Sequence, residues 1–362
     1  MVDTITLQFN FYGNRNAEIH KRIKDNEITG FHYIPKNYEE RGILSYCAGV
    51  APFGLFYNAT HRYINITINP SLILKHYPVA DEYVVIENAC KKVISDDLHI
   101  PQNYVESIVL NRIDFNMDYR IYDEEERNII YNLMIKTRDK LGKVVKTKFN
   151  TAITYLPDTG YVETITYDKE MEHILNFRYD DYEYVENLDN FKGIFRTEVR
   201  IKNRKLNQNK SWGLSKELFN YLCEDMKAYY WKQYAEKIWF TEDFYRIDVA
   251  VKMIKQNDTL TEVTKSKLIE VLKRINKYGF TKARKYYAEL KRSKQIEIAK
   301  NKGASIEKLK TIVNKKLCSQ DYATFNNYIK RIRALGINPL CYDRKFELAK
   351  ISNFAKYFPS IH

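Results

Sequence analysis

At 362 residues, with 44% hydrophobic and 14% aromatic residues, the chain can bury one large core or two ordinary ones, which excludes wholesale disorder. No apolar run reaches the length of about 18 residues that a membrane-spanning helix needs, and the opening MVDTITLQFNF lacks the basic and apolar regions of a signal peptide, so neither is expected. The net charge of +13 is unevenly spread: residues 251–362 carry 26 Lys+Arg against 9 Asp+Glu, whereas the first 250 carry 33 against 37.

Residues 1–212 read as an α+β domain. Period-two alternation marks its strands. In TITLQFNF, Ile5, Leu7, Phe9 and Phe11 share one face; in YINITI, Ile64, Ile66 and Ile68 oppose Tyr63, Asn65 and Thr67. Helical periodicity follows over 81–95. SIVLNRIDFNMDYRI then predicts a long strand, and a helix over 123–140 opens on Asp123–Glu126, acidic residues that suit a helix N-terminus. VETITYDKEMEH (162–173) reads as a strand running into a helix, with Asp168 as the N-cap, and GIFRTEVRIK predicts another strand.

From about residue 214 the pattern turns helical, in LSKELFNYLCEDMKAYYWKQY and throughout 259–335, so 213–362 is expected to form a basic, mainly helical second domain. LKRINKYGF (272–280) and IKRIRALGI (329–337) echo one another, and each contains a glycine, Gly279 or Gly336, that fits a left-handed helix C-cap. The basic excess points to a polyanion, nucleic acid ahead of acidic lipid. The alternative is a solvated helical bundle with no ligand.

The five cysteines (Cys47, Cys90, Cys223, Cys318, Cys341) never form C-x-x-C, and the seven histidines are dispersed. That spacing suits a reducing cytoplasm and carries no zinc signature. Zinc-protease and phosphate-loop motifs are absent too.

Chemistry concentrates on three strands. In NRIDFNMD, period two puts Arg112, Asp114, Asn116 and Asp118 on one face. In FRTEVRIK it groups Arg196, Glu198, Arg200 and Lys202. In VETITYD, Glu163, Ile165 and Tyr167 oppose Val162, Thr164 and Thr166. Should these faces coincide, carboxylates suited to Mg²⁺ or Mn²⁺ sit among arginines suited to phosphate oxygens. Taken alone, such a face reads first as a wet sheet surface with cross-strand ion pairs. Tyr167, at the strand-to-helix junction with Lys169 two residues on, adds a nucleophile, though a phenol of pKa about 10 needs activation before it can attack phosphorus.

These residues give the chain a resemblance to the replication initiators of filamentous phages and related plasmids, the gene II/X protein family. In order, it is carried by MVDTITLQFNF, the 64–74 segment with INPSLIL, RIDF (112–115), TITYDK (164–169), FRTEVRIKNRKL (195–206) and the basic helical tail with its Gly-Ile-x-Pro turn (336–339). The resemblance implies an antiparallel-sheet-based nickase domain followed by the helical DNA-binding domain. The implied activity is rolling-circle initiation in a bacterial cytoplasm: nicking one strand of a double-stranded origin, linking a tyrosine to the 5′-phosphate, freeing a 3′-hydroxyl, and later rejoining the displaced single strand. Tyr167 matches the family's nucleophile and Lys169 its companion lysine. Asp114 and Glu198 match acidic positions expected to bind Mg²⁺ or Mn²⁺, Arg112, Arg196 and Arg200 fall to the scissile phosphate, and Lys202 is read as a phosphate or DNA contact. Lys273, Arg274, Lys330 and Arg331 fall to duplex DNA. Host helicase and single-strand-binding protein are implied partners, and no membrane is.

The sequence also departs from the family. Thr197 stands where relatives carry an aromatic residue, so packing on that face is expected to be lost. Asn65 replaces an acidic residue, leaving a third metal ligand open, and His61 is read as an ordinary surface histidine. Re-closure would need a second protomer, as in a homodimer, or a second tyrosine such as Tyr161 or Tyr155. Two other readings remain: an origin-binding repressor without enzymatic activity, and a relaxase-like mobilisation protein.

Overall fold

The alternation in the first half of the chain is realised as one antiparallel sheet. The computed structural model describes residues 2–25, 27–28, 32–33, 45–50, 53–58, 61, 63–75, 78–137, 143–146, 153–156, 161–176, 190–315 and 317–357. The strands are β1 Val2–Phe11, β2 His32–Tyr33, β3 Ser45–Val50, β4 Phe53–Asn58, β5 Tyr63–Ile68, β6 Val105–Arg120, β7 Lys143–Lys146, β8 Ile153–Leu156, β9 Val162–Asp168 and β10 Ile194–Lys202. They lie in the order β2-β3-β4-β5-β1-β6-β10-β9-β8-β7, each pair antiparallel. Helices α1 Gly13–Lys24, α2 Pro70–Leu74, α3 Tyr83–Lys92 and α4 Glu124–Thr137 interrupt the strand sequence. Helices α5 Lys169–Asn176 and α6 Asn203–Ser211 follow β9 and β10 directly.

One sheet face is apolar, as alternation predicts. Ile5, Leu7, Phe9, Ile64, Ile66, Ile113, Phe115, Phe195, Val199 and Ile201 are all buried. Thr197 also lies there, and the packing expected to be lost at it is not: fully buried, it shares a 3.0 Å hydroxyl–hydroxyl bond with Thr166, whose Oγ1 also accepts the Trp239 indole N–H at 3.2 Å. A buried polar pair satisfied in this way avoids the desolvation penalty of a lone hydroxyl.

The helical part comprises α7 Glu224–Tyr230, α8 Glu236–Trp239, α9 Ile247–Lys255, α10 Glu262–Tyr278, α11 Phe280–Asn301, α12 Ile306–Asn314 and α13 Ala323–Ala334. A two-stranded sheet of β11 Phe244–Tyr245 and β12 Lys350–Ile351 accompanies them. The expected run over 214–234 is not one helix. It breaks into a 3₁₀ turn at Leu218–Asn220, α7, and a π turn at Trp231–Ala235 leading into α8. Trp231, Ala235, Ile238 and Trp239, all fully enclosed, hold this segment in the core. Gly336, with φ 72°, occupies the left-handed position expected after α13. Gly279 does not: its φ 83°, ψ 164° lies in a region open essentially to glycine alone, and it joins α10 to α11 without a loop.

The helical part is fastened to the sheet part at several points. Phe354 stacks on Tyr119 at 4.1 Å, and Lys136 of α4 donates to Asn276, Asp343 and the Cys341 carbonyl at 2.7–2.9 Å. A cut at 212/213 would therefore strip Trp231, Trp239 and Phe354 from the sheet's apolar face. Among the described residues no helix is long and apolar enough to cross a membrane.

Candidate active site

Strand register decides which side chains meet. Across β6 and β10, Arg112 faces Lys202, Asp114 faces Arg200, Asn116 faces Glu198 and Asp118 faces Arg196. Across β10 and β9, Arg200 faces Glu163, Glu198 faces Ile165 and Arg196 faces Tyr167. Directly opposed residues share a sheet face, so the three polar faces drawn from sequence coincide.

At the centre, the Tyr167 hydroxyl donates to Glu198 Oε1 at 2.7 Å. Both residues are nearly enclosed, at 7% and 4% exposure. Burial, then the charges of Asp3 and Asp114, push the Glu198 carboxyl from an ordinary 4.5 up to about 7, against the opposing pull of its Tyr167 bond and Arg200. Burial and the facing Glu198 push the Tyr167 phenol well above its ordinary range, with Arg196 pulling the other way. The pair thus holds a neutral phenol against a carboxylate half-protonated near neutrality, a geometry suited to passing the phenolic proton to Glu198.

The junction beyond Tyr167 forms as the sequence predicts. Asp168 Oδ1 accepts the Met171 backbone N–H at 3.0 Å and caps α5. Its other oxygen takes Arg127 at 2.8 Å and the Tyr131 hydroxyl. Lys169 lies over the Tyr167 ring, 5.7 Å from its centroid, and pairs with Glu172 at 2.6 Å; among the described residues it makes no hydrogen bond to the phenol oxygen.

The arginines are already engaged. Arg196 gives Nε and Nη2 to Asp118 at 2.7 and 2.8 Å, and Nη1 to Asp3. Burial alone would lower its pKa, but these carboxylates and Tyr167 raise it overall. Arg200 reaches Asp114 at 2.9 Å, Glu163 at 3.1 Å and Glu198 at 3.5 Å, and Arg112 clasps Asp114. Lys202 pairs with Glu163 at 3.0 Å. The side chains of Arg112, Arg200 and Lys202 are 31%, 23% and 37% exposed, against 9% for Arg196. An incoming phosphate could exchange with carboxylates at those three, while Arg196 serves as an enclosed brace. Replacing it with Met should cost about 3 kcal/mol, the low end of the range for a broken buried pair, because Asp118 and Asp3, about one-fifth exposed, lose their counter-charge. Urea unfolding would measure this, and a loss under about 1 kcal/mol would mean that solvent already screens the pair.

Asp3 and Glu172 were not among the residues drawn from sequence, and Asp118 and Glu163 were placed on the polar faces without a role. Asp3 was hidden because period two puts it with Ile5 and Leu7. A register shift between Val2 and Thr4 swings it across instead.

The two carboxylates expected to hold Mg²⁺ or Mn²⁺ share this face, but their oxygens are turned onto guanidinium and phenol groups. Among the described residues no group of three His, Cys, Asp or Glu could hold a metal ion. Asn65 faces Gln8 on β1, whereas Asp114 faces Thr4, four residues along, or about 13 Å at strand rise. The set as arranged does not fit an ion. Tyr161 sits at the other end of β9 from Tyr167, about 20 Å away, with Arg204 over its ring. Tyr155 pairs through its backbone with Thr164, and its side chain lies outside the described residues. His61 is exposed, as expected.

The remaining cations lie on the helical part. Lys273 on α10 and Lys330 and Arg331 on α13 are exposed and make no ion pair among the described residues, while Arg274 stacks on Tyr286 at 3.4 Å. The echo between 272–280 and 329–337 holds in burial as well: Leu272 and Ile275 are buried like Ile329 and Ile332, and each lysine points out. If this surface makes 6–10 phosphate contacts, affinity for duplex DNA should fall about 10³–10⁵-fold between 50 and 200 mM salt. Replacing Lys330 and Arg331 by Ala should lower the salt slope by about 2. An unchanged slope in that variant would remove the two residues from the interface.

No protein-family model matches the chain, and no curated protein matches it.

Proposed function

We propose that the chain is a site-specific DNA nickase and strand transferase that initiates rolling-circle replication, with Tyr167 as nucleophile and Glu198 as its base. The observation that carries this reading is the 2.7 Å bond from the Tyr167 hydroxyl to a carboxylate whose pKa lies at about 7, on a face lined with arginines. In the proposed step the Tyr167 oxygen bonds to phosphorus and its proton passes to Glu198. The bond from phosphorus to the 3′-oxygen breaks, and that oxygen takes a proton from solvent. The product is a 5′-phosphotyrosyl adduct and a free 3′-hydroxyl, and the reverse sequence rejoins a strand.

Arg112, Arg200 and Lys202, the more exposed cations of the face, receive the scissile phosphate by exchange with their carboxylates. Lys169, over the Tyr167 ring, moves from Glu172 toward the phosphate as the site fills. DNA binding must also uncover Tyr167, which is 7% exposed without it. Lys273, Lys330 and Arg331 hold the duplex. Host helicase and single-strand-binding protein complete the proposed setting, a replicon in a bacterial cytoplasm, and re-closure by a second protomer would make the working form a homodimer. A relaxase-like mobilisation protein would use the same chemistry.

A specific feature favours a second reading, an origin-binding repressor without chemistry: every cation facing Tyr167 already has a carboxylate partner. The two readings separate when the protein is incubated with supercoiled DNA carrying the origin of its own replicon, with Mg²⁺, with Mn²⁺ and with neither. A nicked circle and a protein-linked strand on a denaturing gel support the nickase. Tight binding with the circle left intact under all three conditions supports the repressor.

A further inference from the structure

Directly after β10 the chain enters NRKLNQNKSWGLSK (203–216), which holds four cations and no carboxylate. Trp212 ends this helical stretch 68% exposed, whereas Trp231 and Trp239, the other two tryptophans, are fully enclosed. The exposed indole is not loosely placed. Lys205 Nζ lies 4.5 Å from its ring centroid, and Lys205 is itself 6% exposed, its ammonium bonded to the neutral Gln208 amide at 2.9 Å. Beside the indole is a cleft of about 210 Å³ whose walls include Trp212, Met226, Tyr229 and Tyr230, with Tyr229 41% exposed. That is smaller than the roughly 300–1,000 Å³ of a site for a drug-sized ligand. Its flat aromatic walls suit a single planar ring.

Among the described residues the buried Lys205 has only an amide and an indole as partners, which is costly unless an anion visits it. The same composition recurs close by. Lys216 is 9% exposed and, among the described residues, bonds only the amide oxygens of Asn203 and Asn207, at 2.6 and 3.1 Å, with the exposed Lys210 nearby. Burial, then Lys210, lowers the Lys216 ammonium to about 8. Arg204 is exposed on the same helix. Stacking rings interleaved with unpaired cations are what a single strand of nucleic acid recognises: bases stack on aromatic faces while phosphates follow the positive charge.

We propose that α6 and the segment behind it form a single-stranded DNA platform, with one base stacked at Trp212 and Tyr229 and the flanking phosphates held by Lys205, Lys210 and Lys216. The purpose of this platform rests on the nickase reading: α6, about 14 Å long, starts at the Lys202 end of β10 beside Tyr161, about 20 Å from Tyr167, so a strand bound there reaches the Tyr167 hydroxyl only across several further nucleotides. Its chemistry does not depend on that reading.

The test uses the full chain in EDTA, titrated with oligothymidylate of no origin sequence, and reads intrinsic tryptophan emission. Saturable quenching is expected, since the only exposed tryptophan is the one under the base. Trp212→Ala, at an exposed position outside the core and with the fold checked by circular dichroism, should lose the quenching and weaken binding about 5- to 150-fold, the range of one lost base stack. Trp212→Phe should recover part of that affinity, measured by anisotropy of a labelled oligonucleotide. Oligothymidylate binding unchanged in Trp212→Ala would overturn the proposal, as would duplex DNA competing as well as the single strand. If the wild-type protein binds oligothymidylate through Trp212 and the origin is still never nicked, the platform stands and the nickase reading falls.

Discussion

Tyr167→Phe is expected to abolish the DNA–protein adduct and reduce nicking to background, a loss of about 10⁴-fold or more on the scale of removing a nucleophile. Phenylalanine keeps the ring under Lys169 but removes the hydroxyl that Glu198 accepts. The stability cost should be modest, about 1–3 kcal/mol, because one buried carboxylate oxygen loses its donor while Arg200 stays near the other. Duplex binding at Lys330 and Arg331 should be unaffected. A variant that nicked normally would remove Tyr167 from the chemistry, and one that failed to bind DNA would show only that the fold had been damaged.

Glu198→Gln is expected to have opposite effects on activity and stability. The amide can still accept the Tyr167 hydrogen bond but cannot take its proton, so nicking should fall about 10²–10⁴-fold. In the wild type the rate should climb about tenfold per pH unit up to about 7, as Glu198 ionises, and then level off; the variant should lack that limb. Stability moves the other way. Between pH 4.5 and about 7 the folded chain retains a proton that the unfolded chain has released, so wild-type stability declines as pH rises through this window. Glutamine removes that penalty and should make the variant up to about 3 kcal/mol more stable at about pH 8, with little difference at about pH 4.5. Urea unfolding at the two pH values reads this directly. Parallel stability curves for the two proteins would mean that Glu198 titrates as an ordinary surface carboxylate.

Alternation made much of this arrangement legible before any coordinates. A strand tells which residues share its face, which grouped Asp114 on β6, Arg196, Glu198 and Arg200 on β10 and Tyr167 on β9; that the three faces coincide came from the register. The strand-to-helix junction was legible too, because an aspartate ahead of a helical run has a defined bond to make, and Asp168 makes it with the Met171 N–H.

Period two could not say who pairs with whom. The close of Arg196 on Asp118 and Asp3, and of Arg200 on Asp114 and Glu163, depends on strand order and on one shifted residue in β1. Sequence reasoning gave cross-strand ion pairs as the first reading of this face, but not which carboxylate takes which arginine. Lys169 illustrates the same limit: its two-residue spacing from Tyr167 was right for proximity, but Glu172 one turn on captures its charge. In the helical part, composition gave the class of structure, while the π turn at Trp231–Ala235 and the ψ of Gly279 arose from tertiary packing that no local pattern encodes.

The most direct measurement is to trap the protein on a strand of its own origin, digest it, and locate the nucleotide-bearing peptide by mass spectrometry. A 5′-phosphoryl nucleotide on Tyr167, formed by the wild type and missing in Tyr167→Phe, is the expected result. An adduct on Tyr161, on Tyr155 or on any other residue would contradict the account, and so would strand cleavage with no covalent link at all.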